Sequence, residues 1–160
     1  MKRRFIDTWF WITLIVETEP FHKQATGFFL KSAYQGDEFY TSGSVIAETT
    51  NGILHSRRFI KVPDKKLLPV YAFKFFEKFK SAVTSGQCKV LSASQAQIGN
   101  SLELLKENLR SIQGLSYFDC ETVVLCRDNE MPGILTGDRD FEYLGMSIDE
   151  DWKPILENGN

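Results

Sequence analysis

Four acidic residues stand where a folded chain can gather them for chemistry. They are Asp7 in Phe5-Ile6-Asp7-Thr8, Glu48 after Val45-Ile46-Ala47, Asp119 after Leu115-Ser116-Tyr117-Phe118, and Asp138 in Thr136-Gly137-Asp138-Arg139. Carboxylates held within a few ångströms of one another repel and raise each other's pKa values, so such a cluster makes physical sense around a hard divalent cation, Mg2+ or Mn2+. Zinc is disfavoured, because His22 and His55 are isolated and no HExxH exists. Each of those histidines reads as a surface or packing residue. No Ser-His-Asp or Cys-His pattern supplies a side-chain nucleophile, which leaves metal-assisted hydrolysis as the chemistry these residues suit.

Each acid also has a structural reading. Asp119 stands three residues after Ser116, the spacing of a capping box. Asp138 lies in a Thr-Gly-Asp-Arg turn. With Ser44 as a helix N-cap, the capping-box position is Ala47, so Glu48 is one residue out of register. Asp7 is the hardest to explain as structure, since a carboxylate inside Phe5-Ile6-Asp7-Thr8-Trp9-Phe10 is costly to bury without a partner.

The elements that must position these acids alternate. Hydrophobic runs and turn signals predict strands over 4–7, 39–41, 88–91 and 134–136. Between them lie predicted helices over 20–34, stopped near Gly36, then 44–56 behind Ser44, and a phenylalanine-rich 65–83 ended by Gly86. Ile98, Leu102, Leu105, Leu109 and Ile112 recur at spacings of 4, 3, 4 and 3, a single-faced helix. Ser116 caps another that runs to about 129, and a short helix lies around Phe141. Strands separated by helical crossovers imply an α/β fold with a parallel sheet and helices on both faces. In such sheets ligands bind beyond the carboxyl ends of the strands, where each of the four acids is expected.

The chain has 160 residues, 42% apolar and 25% charged, which suits one domain. A net charge of −2 excludes a histone-like protein, but the charge is uneven. Residues 55–80 carry eight basic side chains against Asp64 and Glu77; residues 128–160 carry nine acidic ones against Arg139 and Lys153. Three cysteines, Cys88, Cys120 and Cys126, form no CxxC pair and are odd in number. A disulfide framework is therefore not expected, and a reducing cytoplasm fits. The apolar run from Phe5 to Val16 contains Asp7 and falls short of the roughly 20 residues that span a bilayer, so neither a membrane anchor nor a signal peptide is expected.

The four motifs, in this order and spacing, resemble those of PIN-domain nucleases, in particular VapC-like toxins of bacterial toxin–antitoxin pairs. The resemblance runs from Phe5 to about Gly145. It implies a PIN-like, three-layer α/β/α sandwich over residues 1–145, followed by an acidic C-terminal tail over 146–160. It also implies a ribonuclease whose acidic pocket binds one or two Mg2+ or Mn2+ ions. Asp7, Glu48, Asp119 and Asp138 match the family's acidic positions, Asp140 is a further metal-ligand candidate, and Thr8 and Thr136 are auxiliary polar residues. Trp9, Trp11 and the pair Cys120-Glu121 are bulkier than the residues usual beside the first and third acids. RNA is expected to approach through Arg57, Arg58, Lys61, Lys65 and Lys66. An antitoxin and a second copy of the chain are the expected protein partners.

Phe73, Phe75, Phe76 and Phe79, at helical spacing, read as core or as a face for such a partner rather than as base-stacking platforms. The competing function is a catalytically silent PIN-like module that binds RNA or protein. An acid-cluster phosphatase would want a second acid two residues after the first, and Asp7-Thr8-Trp9 lacks it.

Overall fold

The computed structural model describes residues 1–55 and 64–158. Its centre is an all-parallel sheet of β1 (Arg3–Ile6), β2 (Glu38–Ser42), β3 (Cys88–Leu91) and β4 (Ile134–Leu135), in the order β3-β2-β1-β4. Phe5 lies opposite both Tyr40 and Ile134, and Ile6 opposite Leu135. β1 is thus central, and its Phe5 and Ile6 are fully buried, as expected of a parallel strand covered on both faces. The chain lays β2 and β3 to one side of β1 and then returns to place β4 on the other. The β1/β4 boundary is therefore a topological switch point, where the carboxyl ends of the strands open a crevice.

The helices are α1 (Thr8–Ile15), α2 (His22–Tyr34), α3 (Gly43–His55), α4 (Leu68–Thr84), α5 (Gln95–Asn108), α6 (Tyr117–Asp128), α7 (Asp140–Tyr143) and α8 (Lys153–Asn158). α2 and α4 are followed by Gly36 and Gly86, both at positive φ, the left-handed conformation glycine adopts without penalty. α1 was not foreseen. Its seven buried residues lie all round the helix, so it shows no 3.6-residue apolar stripe and reads in sequence as one continuous hydrophobic run.

The cap of α3 is also displaced from expectation. Ser42, not Ser44, accepts the Val45 N–H at 3.2 Å, so the helix starts one residue before Ser44. The predicted 98–112 stripe is divided: α5 ends at Asn108, Leu105 packs against the core and Ile112 beyond the helix is buried, while Ile98, Leu102 and Leu109 are exposed and Ser101 is buried. The small Ser101, its hydroxyl turned back to the Gln97 carbonyl at 2.7 Å, lets α5 sit closely against α6. α4 divides its phenylalanines: Phe75 is buried against Trp11, Phe79 packs on the core, and Phe73 and Phe76 are exposed. A 3-10 turn, Lys65–Leu67, precedes it.

Residues 146–158, expected as a tail, pack against the same core. Met146, Ile148 and Trp152 are buried, and Ile148 bridges to Ile134 in parallel. Their acidity is largely answered from β1. Arg4, buried at the amino end of that strand, donates to Asp37 at 2.9 Å, Asp149 at 2.5 Å and Asp151 at 2.6 Å, and Lys2 pairs with Glu150 and Asp151. Among the described residues no helix is long and apolar enough to cross a membrane.

Candidate active site

Asp7 follows β1 directly and is the N-cap of α1. Its amide donates to the Leu135 carbonyl at 3.2 Å, which ties the end of β1 to the end of β4. Its carboxylate Oδ2 accepts the Thr136 hydroxyl at 2.9 Å and, more weakly, the Trp9 amide at 3.4 Å. Thr136 in turn accepts the Asp138 amide at 3.0 Å, so one hydroxyl links two of the four acids across the switch point. Asp138 Oδ1 accepts the Asp140 amide at 2.9 Å and shapes the turn into α7.

Glu48 is in the second turn of α3, and its Oε2 accepts the Thr8 hydroxyl at 2.6 Å. Thr8 therefore joins the start of α1 to the middle of α3. Asp119 opens α6 in a complete capping box: Ser116 Oγ accepts the Asp119 amide at 3.2 Å, and Asp119 Oδ2 accepts the Ser116 amide at 2.7 Å. Here both readings of the sequence coexist, because the capping carboxylate also belongs electrostatically to the cluster.

The electrostatics bring these groups together. Burial, reinforced by the charges of Glu48 and Asp119, pushes the Asp7 carboxyl up to about 7 against the bond from Thr136. Burial likewise raises Glu48, with Asp119 and Asp138 adding to it and the Thr8 bond opposing. Asp119 is raised by burial and by Asp138 and Asp140, and Asp140 by burial and by Asp138. The charges of neighbouring carboxylates thus add to burial at Asp7, Glu48, Asp119 and Asp140.

The donor chemistry is that of a hard divalent ion: oxygen throughout, anionic, and arranged at one edge. Glu48, Asp119 and Asp138 each engage one carboxylate oxygen in structure and leave the other without a hydrogen-bond partner among the described residues. Among those residues, however, no three side chains are already gathered tightly enough to grip an ion. The groups fit such an ion by chemistry and charge, with their free oxygens available to turn toward it.

Bulk beside the first acid is accommodated by glycine. A Cβ at Gly137 would lie 2.4 Å from the Trp9 ring, so the turn between Thr136 and Asp138 passes directly against the indole. Trp11 is buried among Phe29, Phe75 and Phe79, and Cys120 is core, while Glu121 accepts the Tyr117 hydroxyl at 3.1 Å. Of the expected RNA contacts, Lys65 and Lys66 are exposed in the 3-10 turn, and Arg57, Arg58 and Lys61 lie outside the described residues. His22 takes a packing role, its Nδ1 2.9 Å from the Thr13 carbonyl. The Ser-x-x-Asp spacing reports this capping box, including the bond from the Ser116 amide that orients the Asp119 carboxylate.

No family model and no curated protein matches this sequence. Solved structures do match. VapC20 of Mycobacterium tuberculosis, a toxin that cleaves the Sarcin-Ricin loop, aligns with TM-score 0.66 at 20% identity, covering 89% of this chain and 95% of that one. VapBC2 of Rickettsia felis, solved bound to a DNA fragment from its promoter, aligns with TM-score 0.61 at 14% identity, covering 91% and 96%. PAE2754 of Pyrobaculum aerophilum aligns with TM-score 0.58 at 14% identity, covering 99% and 95%. At these identities the likeness is one of fold, and the chain has the PIN-like α/β fold of the VapC toxins, as the four acidic motifs implied.

Proposed function

We propose that this chain is a divalent-metal-dependent endoribonuclease, the toxin of a toxin–antitoxin pair. The observation that supports the reading is the electrostatic coupling of Asp7, Glu48, Asp119 and Asp138, which come from four separate parts of a VapC-like fold. Asp140 is the fifth candidate ligand. A bound Mg2+ or Mn2+ would supply an acidified water and neutralise charge developing on the phosphoryl oxygens.

The chain's own residues do the rest. Thr136 holds one oxygen of Asp7 and the Asp138 backbone, Thr8 holds one oxygen of Glu48, and Ser116 one of Asp119, which leaves the second oxygen of Glu48 and of Asp119 available to an ion. A phosphodiester seated at this edge needs no protein nucleophile. The basic stretch containing Arg57, Arg58, Lys61, Lys65 and Lys66 would hold the RNA backbone by phosphate contacts. An antitoxin would be the protein partner, as the VapBC2 assembly suggests by analogy.

The test is cleavage of an RNA panel by the purified chain with Mg2+ or Mn2+, beside an EDTA control and Asp7→Asn. Cleavage lost in both controls is the expected result. Cleavage that survives Asp7→Asn, or none by the intact chain on any RNA, would sink the proposal.

A further inference from the structure

Thr136 is fully buried and lies one residue beyond the last β1–β4 pair, Ile6 with Leu135, so the sheet no longer holds its backbone. A buried carbonyl in that position needs a donor. The donor comes from the C-terminal segment: the Trp152 indole Nε1–H donates to the Thr136 carbonyl at 3.1 Å. On the same residue, the Thr136 hydroxyl donates to Asp7 and accepts from the Asp138 amide. We propose that Trp152 is a positioning residue of the acidic site, fixing Thr136 and, through it, the orientation of Asp7 and Asp138. This rests on reading that site as a metal-dependent nuclease centre.

The indole is itself firmly held. Its ring is fully buried, 5.0 Å from Phe10, 5.3 Å from Phe28 and 6.4 Å from Trp9 between centroids. Trp9 is the ring against which the Gly137 turn passes, so Trp152 supports both the carbonyl before that turn and the indole beneath it. Behind Trp152, Asp149 Oδ1 accepts the Trp152 amide at 3.2 Å, and the Asp149 amide donates to the Ile134 carbonyl at 2.9 Å. Asp149 is clamped by Arg4 at 2.5 Å. The ion-paired amino edge of the sheet thus fixes the segment that fixes the site at the carboxyl edge.

Trp152→Phe keeps an aromatic ring in the core and deletes the donor. Hydrogen exchange of the metal-free full chain should show amides over residues 134–140 exchanging about tenfold faster, the loss of roughly one buried hydrogen bond, with β2 and β3 unchanged. Mn2+ affinity measured by calorimetry should weaken severalfold, and kcat for RNA cleavage should fall with KM unchanged, the signature of a disturbed reacting geometry. Unchanged exchange over 134–140 would overturn the proposal and leave Trp152 a packing residue only. Should Trp152→Phe fail to fold, the wild-type chain decides: its indole N–H resonance must move with Mg2+ alongside the Asp138 amide, and an indole signal that stays fixed while that amide moves overturns the idea. A wild-type chain that binds no Mn2+ and cleaves no RNA would refute the nuclease reading instead, while the exchange comparison still judges Trp152.

Discussion

Replacing Asp7 by Asn should make the metal-free protein more stable at neutral and higher pH. The Asp7 carboxyl is raised in the folded state from its ordinary 3.8 to about 7, first by burial and then by Glu48 and Asp119. A folded state that holds this proton more tightly than the unfolded chain has its full stability from the group below about pH 4, and loses it as pH rises through about 7. At about 1.4 kcal/mol per pH unit, the gap corresponds to roughly 4 kcal/mol at pH 8. For a domain of this size that amounts to roughly 10 °C in Tm. Asn keeps the side-chain volume and an oxygen to accept from Thr136, but it cannot ionise. In EDTA the variant should therefore melt well above wild type at pH 8, with the difference closing toward pH 4. Millimolar Mg2+ should raise the wild type and leave the variant almost unmoved, because a ligand that binds the folded state stabilises it by mass action. Thermal melts across pH 4–8 decide the matter: a difference that does not change with pH, or a variant less stable at pH 8, would refute the electrostatic reasoning.

Three further outcomes are expected. Gly137→Ala forces a methyl into the Trp9 ring and should cost about 1–3 kcal/mol in denaturant unfolding, with cleavage reduced because the Asp138 turn must shift. Arg4→Met strands the buried carboxylates of Asp37 and Asp149 and should cost about 3–5 kcal/mol near neutrality. Because Asp37 is held below its usual range by the Lys2 amide and Arg4 despite burial, that deficit should shrink as pH falls toward the ordinary aspartate range. The pair Lys65→Ala and Lys66→Ala should lower the salt slope of RNA binding by about 1–2, and an unchanged slope removes these lysines from the interface.

The strands were legible because each is a short apolar run bounded by turn residues, and Cys88–Leu91 falls where its sequence pattern puts it. Asp7 and Asp138 follow strands and Asp119 opens a helix, positions their sequence motifs report, while Glu48 lies in the second turn of α3. What could not be read has specific causes. α1 is buried on every side and therefore has no period. The 98–112 stripe is periodic, but the helix ends at Asn108 and only Leu105 and Ile112 of the stripe pack inward, a division the spacing does not report. The last segment is acidic in composition, which reads as a solvated tail; its carboxylates Asp149, Glu150 and Asp151 are instead matched by cations 145 to 149 residues away in sequence, and no local pattern reports that.

The two ends of β1 account for the whole charge arrangement. A parallel strand of four residues is roughly 10 Å long, so Arg4 near one end and Asp7 just past the other are neighbours that do not neutralise each other. Arg4 is instead surrounded by Asp37, Asp149 and Asp151, which hold its guanidinium firmly in the charged form although burial opposes it. That clamp fixes the strand and closes the C-terminal segment over it. Among the described residues, the hydrogen bonds that the carboxylates at the other end accept come from hydroxyls and backbone amides. Hydroxyls and amides orient a carboxylate without cancelling its charge, so the cluster keeps its repulsion in the folded chain. A divalent cation bound there, as the proposed nuclease reading requires, would relieve that repulsion.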